Sequence, residues 1–164
     1  TNDLVGYWAL DADNSANGAT NDLTTGEVLG SEVISDASFE DASYWTINLG
    51  NGGVDVNTTT TGKLTVANAH DTRLGRASIL TSGKLYKLDF VLDSYSSGRI
   101  RGLAGFMDAF TPEVGTNTKY FISNSTSFTI HFDKWGTGTS GTNAYMTMTD
   151  ISIKEVTSNT GVLL

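Results

Sequence analysis

The sequence predicts an all-β domain built as a sandwich or barrel of antiparallel strands. Several segments alternate apolar and polar residues with a period of two, as in GKLYKLDFVL, where Tyr86, Leu88, Phe90 and Leu92 share one face. Clusters of Gly, Ser, Asn and Thr recur between these segments and are typical of turns. No long segment keeps the helical period, so strands are expected to follow one another without intervening helices.

Residues 1–32 differ from the rest of the chain. The apolar run LVGYWAL is followed by DADNSANGATNDLTTGE, which is polar and has no period. We expect an arm or linker here, because a segment with so few apolar residues cannot bury enough surface to fold alone. Docking on the sandwich or on a neighbouring copy of the chain is expected for its apolar residues, which are Leu4, Val5, Tyr7, Trp8 and Leu10.

Strands are predicted from Val33 onward, each with one wet face. The residues expected to share the dry faces are Leu64 and Val66, then Tyr86, Leu88, Phe90 and Leu92, then Phe128, Ile130 and Phe132, and finally Ile151 and Ile153. One segment departs from this pattern. Leu103, Phe106, Met107 and Phe110 have helical spacing and predict a short turn of helix beside a strand, which Gly102 and Gly105 weaken.

Composition excludes several classes of partner. The 164 residues suffice for one domain with a hydrophobic core, and the absence of cysteine excludes disulfides. The formal charge is -8 and the cations are scattered singly, so neither nucleic acid nor an anionic membrane is an expected partner. No run of residues approaches the length of a membrane span, and the start TNDLVGYW lacks the pattern of a signal peptide. An acidic, Thr- and Gly-rich, cysteine-free chain is common on extracellular and virion surfaces.

Two local motifs are better explained as turns. Residues 136–141, GTGTSG, match the dinucleotide-binding pattern, but a strand follows where that site needs a helix N-terminus. Residues 11–22 resemble a calcium-binding loop in the spacing of Asp11, Asp13 and Asp22, but Ala16 stands where that loop needs glycine. We interpret the first as a hairpin loop and the second as a solvated turn.

Nothing in the sequence predicts catalysis. There is no cysteine nucleophile, no G-x-S-x-G or H-E-x-x-H motif, and His70 and His131 are the only histidines.

Aromatic residues are more informative than these absences, since flat rings stack against sugars. Those near predicted turns or strand ends are Trp8, Trp45, Trp135, Tyr44, Tyr95 and Tyr120. The alternative for each is that it closes an end of the core.

From Val33 onward the order of motifs resembles a known family. VISDASFEDASYWTI, GKLTVAN, SGKLYKLDFVL, TSFTIHF and MTDISIKEV follow one another. In this order they resemble the strands of jelly-roll carbohydrate-binding modules with a galactose-binding-like sandwich, including modules attached to bacteriophage tail and virion proteins. Separately, LVGYWALD resembles the opening strand of a laminin-G or concanavalin-like sandwich.

The resemblance implies an antiparallel jelly-roll β-sandwich over residues 33–157, after an N-terminal arm at 1–32 and before a tail at 158–164. It implies a non-catalytic module of a phage virion, in a tail fibre or on the capsid surface, that contacts glycans. From the composition of the arm itself we expect a homo-oligomer formed through it. Two alternatives stay open. One is a purely structural virion assembly or decoration protein that kept the fold without a ligand site, and the other is the binding module of a secreted polysaccharide-degrading enzyme.

The resemblance also implies a structural calcium ion that ties the first strand to the last. Glu40 matches the glutamate of the family's "F-E" motif, and Asp150 is the acidic residue of the closing strand. Thr149 stands where the family usually has its first aspartate, so Asp150 alone supplies a carboxylate there. The alternative is a surface salt bridge or a solvated glutamate.

For the glycan, the resemblance implies a groove across the strands lined by aromatic, Arg and His side chains. Pleat alternation sends His131 to the face opposite Phe128, Ile130 and Phe132, which we expect to be solvated, and puts Arg99 and Arg101 on one face. The expected glycan-binding residues are Arg99, Arg101, Tyr120, His131 and Trp135, with Trp135 as the stacking platform. The alternative is that they are ordinary surface residues.

Overall fold

The structure is a computed structural model that describes residues 27–48, 55–59, 62–103, 106–134 and 143–159. Contacts within the chain define two units, Thr1–Gly30 together with Val156–Leu164, and Ser31–Glu155. The predictions for the arm, the calcium-like loop, the GTGTSG loop and Trp135 fall outside the described residues. In the first unit the Thr157 hydroxyl donates a hydrogen bond to the Val28 carbonyl at 3.0 Å.

The described residues form strands and loops, with no α-helix and no helix long and apolar enough to cross a membrane. The strands are β1 (Glu27–Glu32), β2 (Thr46–Asn48), β3 (Asp55–Thr59), β4 (Lys63–Ala69), β5 (Thr72–Arg76), β6 (Leu85–Ser97), β7 (Arg99–Gly102), β8 (Gly115–Ile122), β9 (Phe128–Asp133) and β10 (Ala144–Asn159). The last six residues of the predicted arm therefore belong to strand β1.

Two antiparallel sheets make up the fold. A six-stranded sheet has the order β3-β4-β10-β6-β8, with β1 also paired to β10. A four-stranded sheet has the order β2-β5-β9-β7. Neighbours in space are mostly distant in sequence, as in a sandwich whose chain passes repeatedly between its sheets. The predicted antiparallel β-sandwich of jelly-roll type is confirmed.

The core is built from the alternating residues that the sequence analysis placed on the dry faces. Leu64, Leu88, Phe128, Ile130 and Ile153 have no exposed surface. The remaining predicted dry-face residues are also buried, and they are Val66, Tyr86, Phe90, Leu92, Phe132 and Ile151. Register places inward side chains of paired strands side by side, so apolar area is removed from water along the whole length of each pair.

The segment with helical spacing forms no α-helix over residues 106–110. It folds back along β7 instead, where the Gly102 amide donates to the Met107 carbonyl at 2.9 Å and Phe110 forms an antiparallel bridge with Ile100. Phe106 packs against Phe121 with ring centroids 4.7 Å apart. Leu103 directly after β7 has 3-10 conformation, and the partial burial of Phe106 and Phe110 against the core explains their apolar spacing without an α-helix.

Two connections, β4 to β5 and β6 to β7, carry the chain from the six-stranded sheet to the four-stranded sheet. The chain passes from β4 to β5 through His70 and Asp71, and Asp71 has a φ of 60°. It passes from β6 to β7 through Gly98, which has a φ of 98°. Such left-handed conformations turn the chain sharply, and they are strained for residues other than glycine.

We predict that Gly98→Ala destabilises the protein far more than Gly83→Ala. A Cβ at Gly98 would lie 2.6 Å from the Ala144 Cα, whereas a Cβ at Gly83 would meet nothing within 4 Å. Both glycines have positive φ, so both variants carry conformational strain of about 1 to 2 kcal/mol, and only Gly98→Ala adds a clash, for a total of about 2 to 5 kcal/mol. Urea unfolding measures both, and equal losses would contradict the packing described at this turn.

Candidate functional site

The outer face of the four-stranded sheet carries the candidate site. Leu74 on β5, Ile130 and Phe132 on β9, and Ile100 on β7 are fully buried under the sheet. Their neighbours in sequence therefore point outward. These outward residues are Arg73 and Gly75 on β5, Thr129, His131 and Asp133 on β9, and Arg99 and Arg101 on β7.

One row of side chains crosses all four strands. Asn48 on β2 pairs with Arg73, Arg73 with His131, and His131 with Arg101. We call these four residues the central row. Adjacent strands lie about 4.8 Å apart, so the row spans about 14 Å of sheet. It offers amide and guanidinium donors, the groups that recognise hydroxyl and carboxylate oxygens.

The carboxylate of Asp71 connects three members of this face. Its Oδ1 lies 2.6 Å from His131 Nδ1 and accepts a hydrogen bond from Arg101 Nη2 at 3.1 Å. Its Oδ2 accepts from Arg73 Nη2 at 3.2 Å. Because Asp71 stands in a left-handed conformation where the chain turns from one sheet to the other, its side chain lies beside strands β5, β9 and β7 at once.

Asp133 adds a second anchor for the same arginine. Its Oδ2 accepts a hydrogen bond from Arg101 Nε at 3.0 Å, and its Oδ1 accepts from the Lys134 amide at 3.1 Å. Arg101 is therefore held between two carboxylates. A guanidinium held in this way keeps one orientation, and little side-chain entropy is left to lose when a ligand binds it.

His131 is buried, with only 1% of its surface exposed. Pleat alternation does put it on the predicted face, but the expectation that it is solvated is wrong. Burial lowers the pKa of His131 below its ordinary value of 6.5, and the charges of Arg101 and Arg73 lower it further, while the hydrogen bond with Asp71 opposes the shift. The neutral ring donates from Nδ1 to Asp71, and its Nε2 has no hydrogen-bond partner among the described residues.

Asp71 is correspondingly held in its charged form. Burial raises its pKa, but hydrogen bonds from His131 and Arg73 outweigh that effect and keep the pKa below the ordinary value of 3.8. An ionised carboxylate that accepts three hydrogen bonds organises its donors and is a poor proton donor itself.

A shallow cavity of about 240 Å³ lies on the same face beside the central row. Its lining is formed by Thr46, Asn48, Arg73, Gly75, Arg76, Ala77, Leu103, Ser127 and Thr129. Six of these nine residues carry a hydroxyl, amide or guanidinium group, while most of the lining surface is apolar. The cavity therefore suits a ligand that combines apolar surface with hydrogen-bonding groups.

The structure brings together three of the residues predicted to bind glycan. Arg101 and His131 are direct cross-strand neighbours, and Arg99 pairs with Asp133 next to them. Tyr120 lies elsewhere, on β8 of the six-stranded sheet, where it lines a separate cavity of about 340 Å³. Trp135 lies outside the described residues.

Sequence reasoning missed the contribution of β2 and β5. Arg73, Thr46 and Asn48 line the cavity, yet the segment TRLGR has a single large apolar residue and shows no clear alternation. One pattern in the sequence does indicate Arg73. It stands next to the apolar Leu74, so in a strand with Leu74 buried its side chain must lie on the outward face, as Gly75 does. Asp71 gave no signal, because only the sheet-to-sheet turn brings it to this face.

Two of the aromatic residues considered as sugar platforms have interior roles. Trp45 is 5% exposed, and its indole N–H donates to the Asp36 carboxylate at 3.0 Å. Tyr44 packs against the core and lies under the Arg76 guanidinium, 4.2 Å from the ring centroid. Closure of the core explains both residues.

The two residues expected to hold calcium lie on separate segments, Glu40 in the β1–β2 connection and Asp150 on β10. Calcium takes about six to eight oxygen ligands, and within the described ranges no three acidic or histidine side chains group as metal ligands would. Burial and the negative charge of Glu32 raise the pKa of Asp150. Glu32 is itself occupied, since its carboxylate accepts hydrogen bonds from the amides of Val33 and Ile153. Calcium shared by Glu40 and Asp150 stays a prediction.

We predict that stability falls as the pH drops, and that His131 is a cause. The unfolded chain's His131 takes up a proton as the pH falls through about 6.5, but the folded protein does so only at lower pH, so the unfolded state binds more protons in that window. His131→Asn keeps a donor for Asp71 without the titration. Its free energy of unfolding should lose less between about pH 7.5 and pH 5.5 than that of the wild type, by at most about 1.4 kcal/mol per pH unit. Urea unfolding at both pH values tests this, and equal losses would refute it.

If Glu40 and Asp150 share calcium, saturating calcium raises the melting temperature relative to chelator. The stabilisation is about 2.7 kcal/mol at a hundredfold excess over the dissociation constant. Glu40→Ala should abolish the rise, whereas Glu113→Ala, which removes another exposed carboxylate, should retain it. Identical melting curves of the wild type in calcium and in chelator would remove the ion from this site.

No family model matches the sequence, and no curated protein matches it either. Solved structures do match. The second N-terminal cellulose-binding domain of Cellulomonas fimi β-1,4-glucanase C is 17% identical, with 77% of this chain and 95% of that one covered at a TM-score of 0.49. The family 11 carbohydrate-binding module of Clostridium thermocellum, in complex with a β-1,3-1,4-mixed-linked tetrasaccharide, is 13% identical, with 80% and 95% covered at a TM-score of 0.42.

A third match is the enzymatically active domain of tailspike protein 4 of bacteriophage CBA120. It is 13% identical at a TM-score of 0.41, and the match covers 76% of this chain but only 21% of the tailspike chain. The solved structures to which this chain is similar thus include carbohydrate-binding modules and a domain of a phage tailspike.

Proposed function

We propose that this chain is a non-catalytic module that binds a glycan on the outer face of its four-stranded sheet. The observation that carries the proposal is the central row, Asn48, Arg73, His131 and Arg101, lying beside a cavity that combines apolar surface with hydroxyl, amide and guanidinium groups. Sugars are recognised by many directed hydrogen bonds, and a flat sheet with donors at regular spacing supplies them.

The absence of catalysis is supported by the state of the carboxylates on this face. Hydrolysis of a glycosidic bond needs a carboxylic acid that can donate a proton, facing a second carboxylate across the bond. Asp71 has a lowered pKa and is held by three donors, while Asp133 is held by Arg101. Both carboxylates orient arginines, which suits binding better than proton transfer.

The setting that we propose is a virion or other extracellular surface. Binding through hydrogen bonds on an open face is weak for a single copy, because sugar hydroxyls exchange good hydrogen bonds with water for similar ones with protein. Repetition of the module on a phage tail or capsid would multiply weak contacts into firm attachment. Trp135 as a stacking platform stays a prediction within this proposal.

Filling the cavity should weaken glycan binding without unfolding the protein. Thr46 is exposed on β2 and lines the cavity, so Thr46→Trp should weaken binding by about tenfold or more, a loss of about 1.4 kcal/mol. Thr116→Trp, at an exposed position on β8 of the other sheet, is the matched control and should bind as the wild type does. A multivalent display of each protein on a broad glycan array measures the effect.

Two outcomes would overturn the proposal. If the wild-type display binds no glycan on the array, a purely structural role for the sandwich replaces it. If Thr46→Trp and Thr116→Trp bind equally well with unchanged melting temperatures, the glycan site lies on another surface, and the outer face of the four-stranded sheet is excluded.

A further inference from the structure

The arginines of this acidic chain are concentrated on a single sheet. Every arginine in the sequence, Arg73, Arg76, Arg99 and Arg101, lies on β5 or β7 of the four-stranded sheet. Five of the lysines lie on or next to strands of the six-stranded sheet, at positions 63, 84, 87, 119 and 154. In a chain of net charge -8, this segregation gives one face a charge opposite to that of the whole.

The carboxylates on this face do not neutralise the arginines. The outward guanidinium groups of Arg73, Arg99 and Arg101 stand against Asp71 and Asp133, which leaves an excess of one positive charge, since the lowered pKa of His131 keeps that ring neutral. Arg76 does not add to this excess, because its Nη1 donates to the Tyr44 carbonyl at 2.5 Å and the nearby exposed carboxylate of Asp41 offsets its charge. The excess positive charge lies where the outer face is open.

Arg99 has no counterion among the described residues. Its register partner on β9 is Asp133, but the Asp133 carboxylate is taken by Arg101 and by the Lys134 amide. The Nε of Arg99 is buried and makes no hydrogen bond with any described residue. Arg99 as a whole is only partly buried, so an anionic ligand that accepts hydrogen bonds from its accessible N–H groups would offset part of the cost of a guanidinium without an acceptor.

Arg73 retains most of its donors as well. Of its five N–H groups, one hydrogen bond goes to Asp71, and the buried Nε has no partner among the described residues. Arg73 also lines the cavity, where Thr129 and Asn48 supply neutral polar groups. The arrangement combines a cation fork with hydroxyl and amide groups, which matches a sugar that carries a carboxylate.

We infer that the ligand of this face is an acidic polysaccharide, with uronate carboxylates received by the free donors of Arg73 and Arg99. The inference rests on the proposed glycan-binding function and narrows it to a chemical class. Asp71 is a positioning residue for Arg73, and together with Asp133 it holds Arg101 on the same face. The planar guanidinium fork pairs with a carboxylate through two parallel hydrogen bonds, a geometry that a neutral sugar does not offer.

The test compares polygalacturonate and alginate with their carboxyl-reduced forms, which keep the backbone and lose the charge. Affinity electrophoresis and isothermal titration on the full chain should show binding to at least one polyuronate and at least tenfold weaker binding to its reduced form. Raising the salt concentration should weaken polyuronate binding, because the contacts are ionic. Chondroitin sulfate with its carboxyls reduced separates sulfate from carboxylate as the recognised anion.

Variants assign the effect to the arginines. Arg99→Gln, which breaks no described hydrogen bond, and Arg73→Gln should each weaken polyuronate binding by roughly 10- to 100-fold, the loss expected for a hydrogen bond to a charged group. Arg99→Lys keeps the charge without the fork and should recover only part of the binding. Lys84→Gln removes an exposed cation from the other sheet and should leave binding unchanged.

The outcomes separate this inference from the proposed function. Equal binding of a polyuronate and its reduced form, binding of neutral glycans only, or full polyuronate binding by both Arg99→Gln and Arg73→Gln would overturn the acidic-ligand inference and leave glycan binding standing. Binding of the sulfated probe alone would overturn the assignment to carboxylates. No binding of the wild type to any acidic or neutral glycan would overturn both.

Discussion

Pleat alternation ties the core of the four-stranded sheet to its outer surface. Ile100, Ile130 and Phe132 have to be buried to close the sandwich, and their burial forces the residues between and beside them outward. Arg101 and His131 are outward for this reason, and their strands' register makes them neighbours. A slip of one residue in β9 would expose its apolar side chains and bury its polar ones, so the register of the site is protected by the stability of the core.

The Asp71 carboxylate makes this crowded face possible. The side chains of Arg73, Arg101 and His131 all contact the Asp71 carboxylate. Without that anion, the two guanidinium charges would repel each other, and the buried imidazole would lack a hydrogen-bond partner. The backbone strain of Asp71 is of the kind that persists only where surrounding contacts fix it, and here three hydrogen bonds do so. Asp71 thus combines a strained backbone with the charge that compensates the two arginines, and it lies beside the candidate ligand surface.

The net charge of the molecule and the charge of the outer face of its four-stranded sheet have opposite signs. A chain of charge -8 repels acidic polymers. At physiological salt this repulsion decays over a Debye length of about 8 to 10 Å, so it acts only weakly beyond that distance. At contact distance the arginines of β5 and β7 dominate. Repulsion by the net charge of the chain, combined with attraction by the arginines at contact, would favour acidic ligands that fit the outer face of the four-stranded sheet over acidic polymers in general. This is a form of selectivity.

The amino-acid sequence by itself determined the fold class and the face of each strand, because alternation in segments such as LYKLDFVL and FTIHF has only one arrangement that buries its apolar residues. It likewise determined that Arg99, Arg101 and His131 face away from the core. Only the tertiary structure decided which strands share a sheet, so it alone separated Tyr120 from that group and added Arg73. Asp71 and the burial of His131 were also decided there, since a turn between sheets brings together residues 60 positions apart, and no local pattern encodes such a contact.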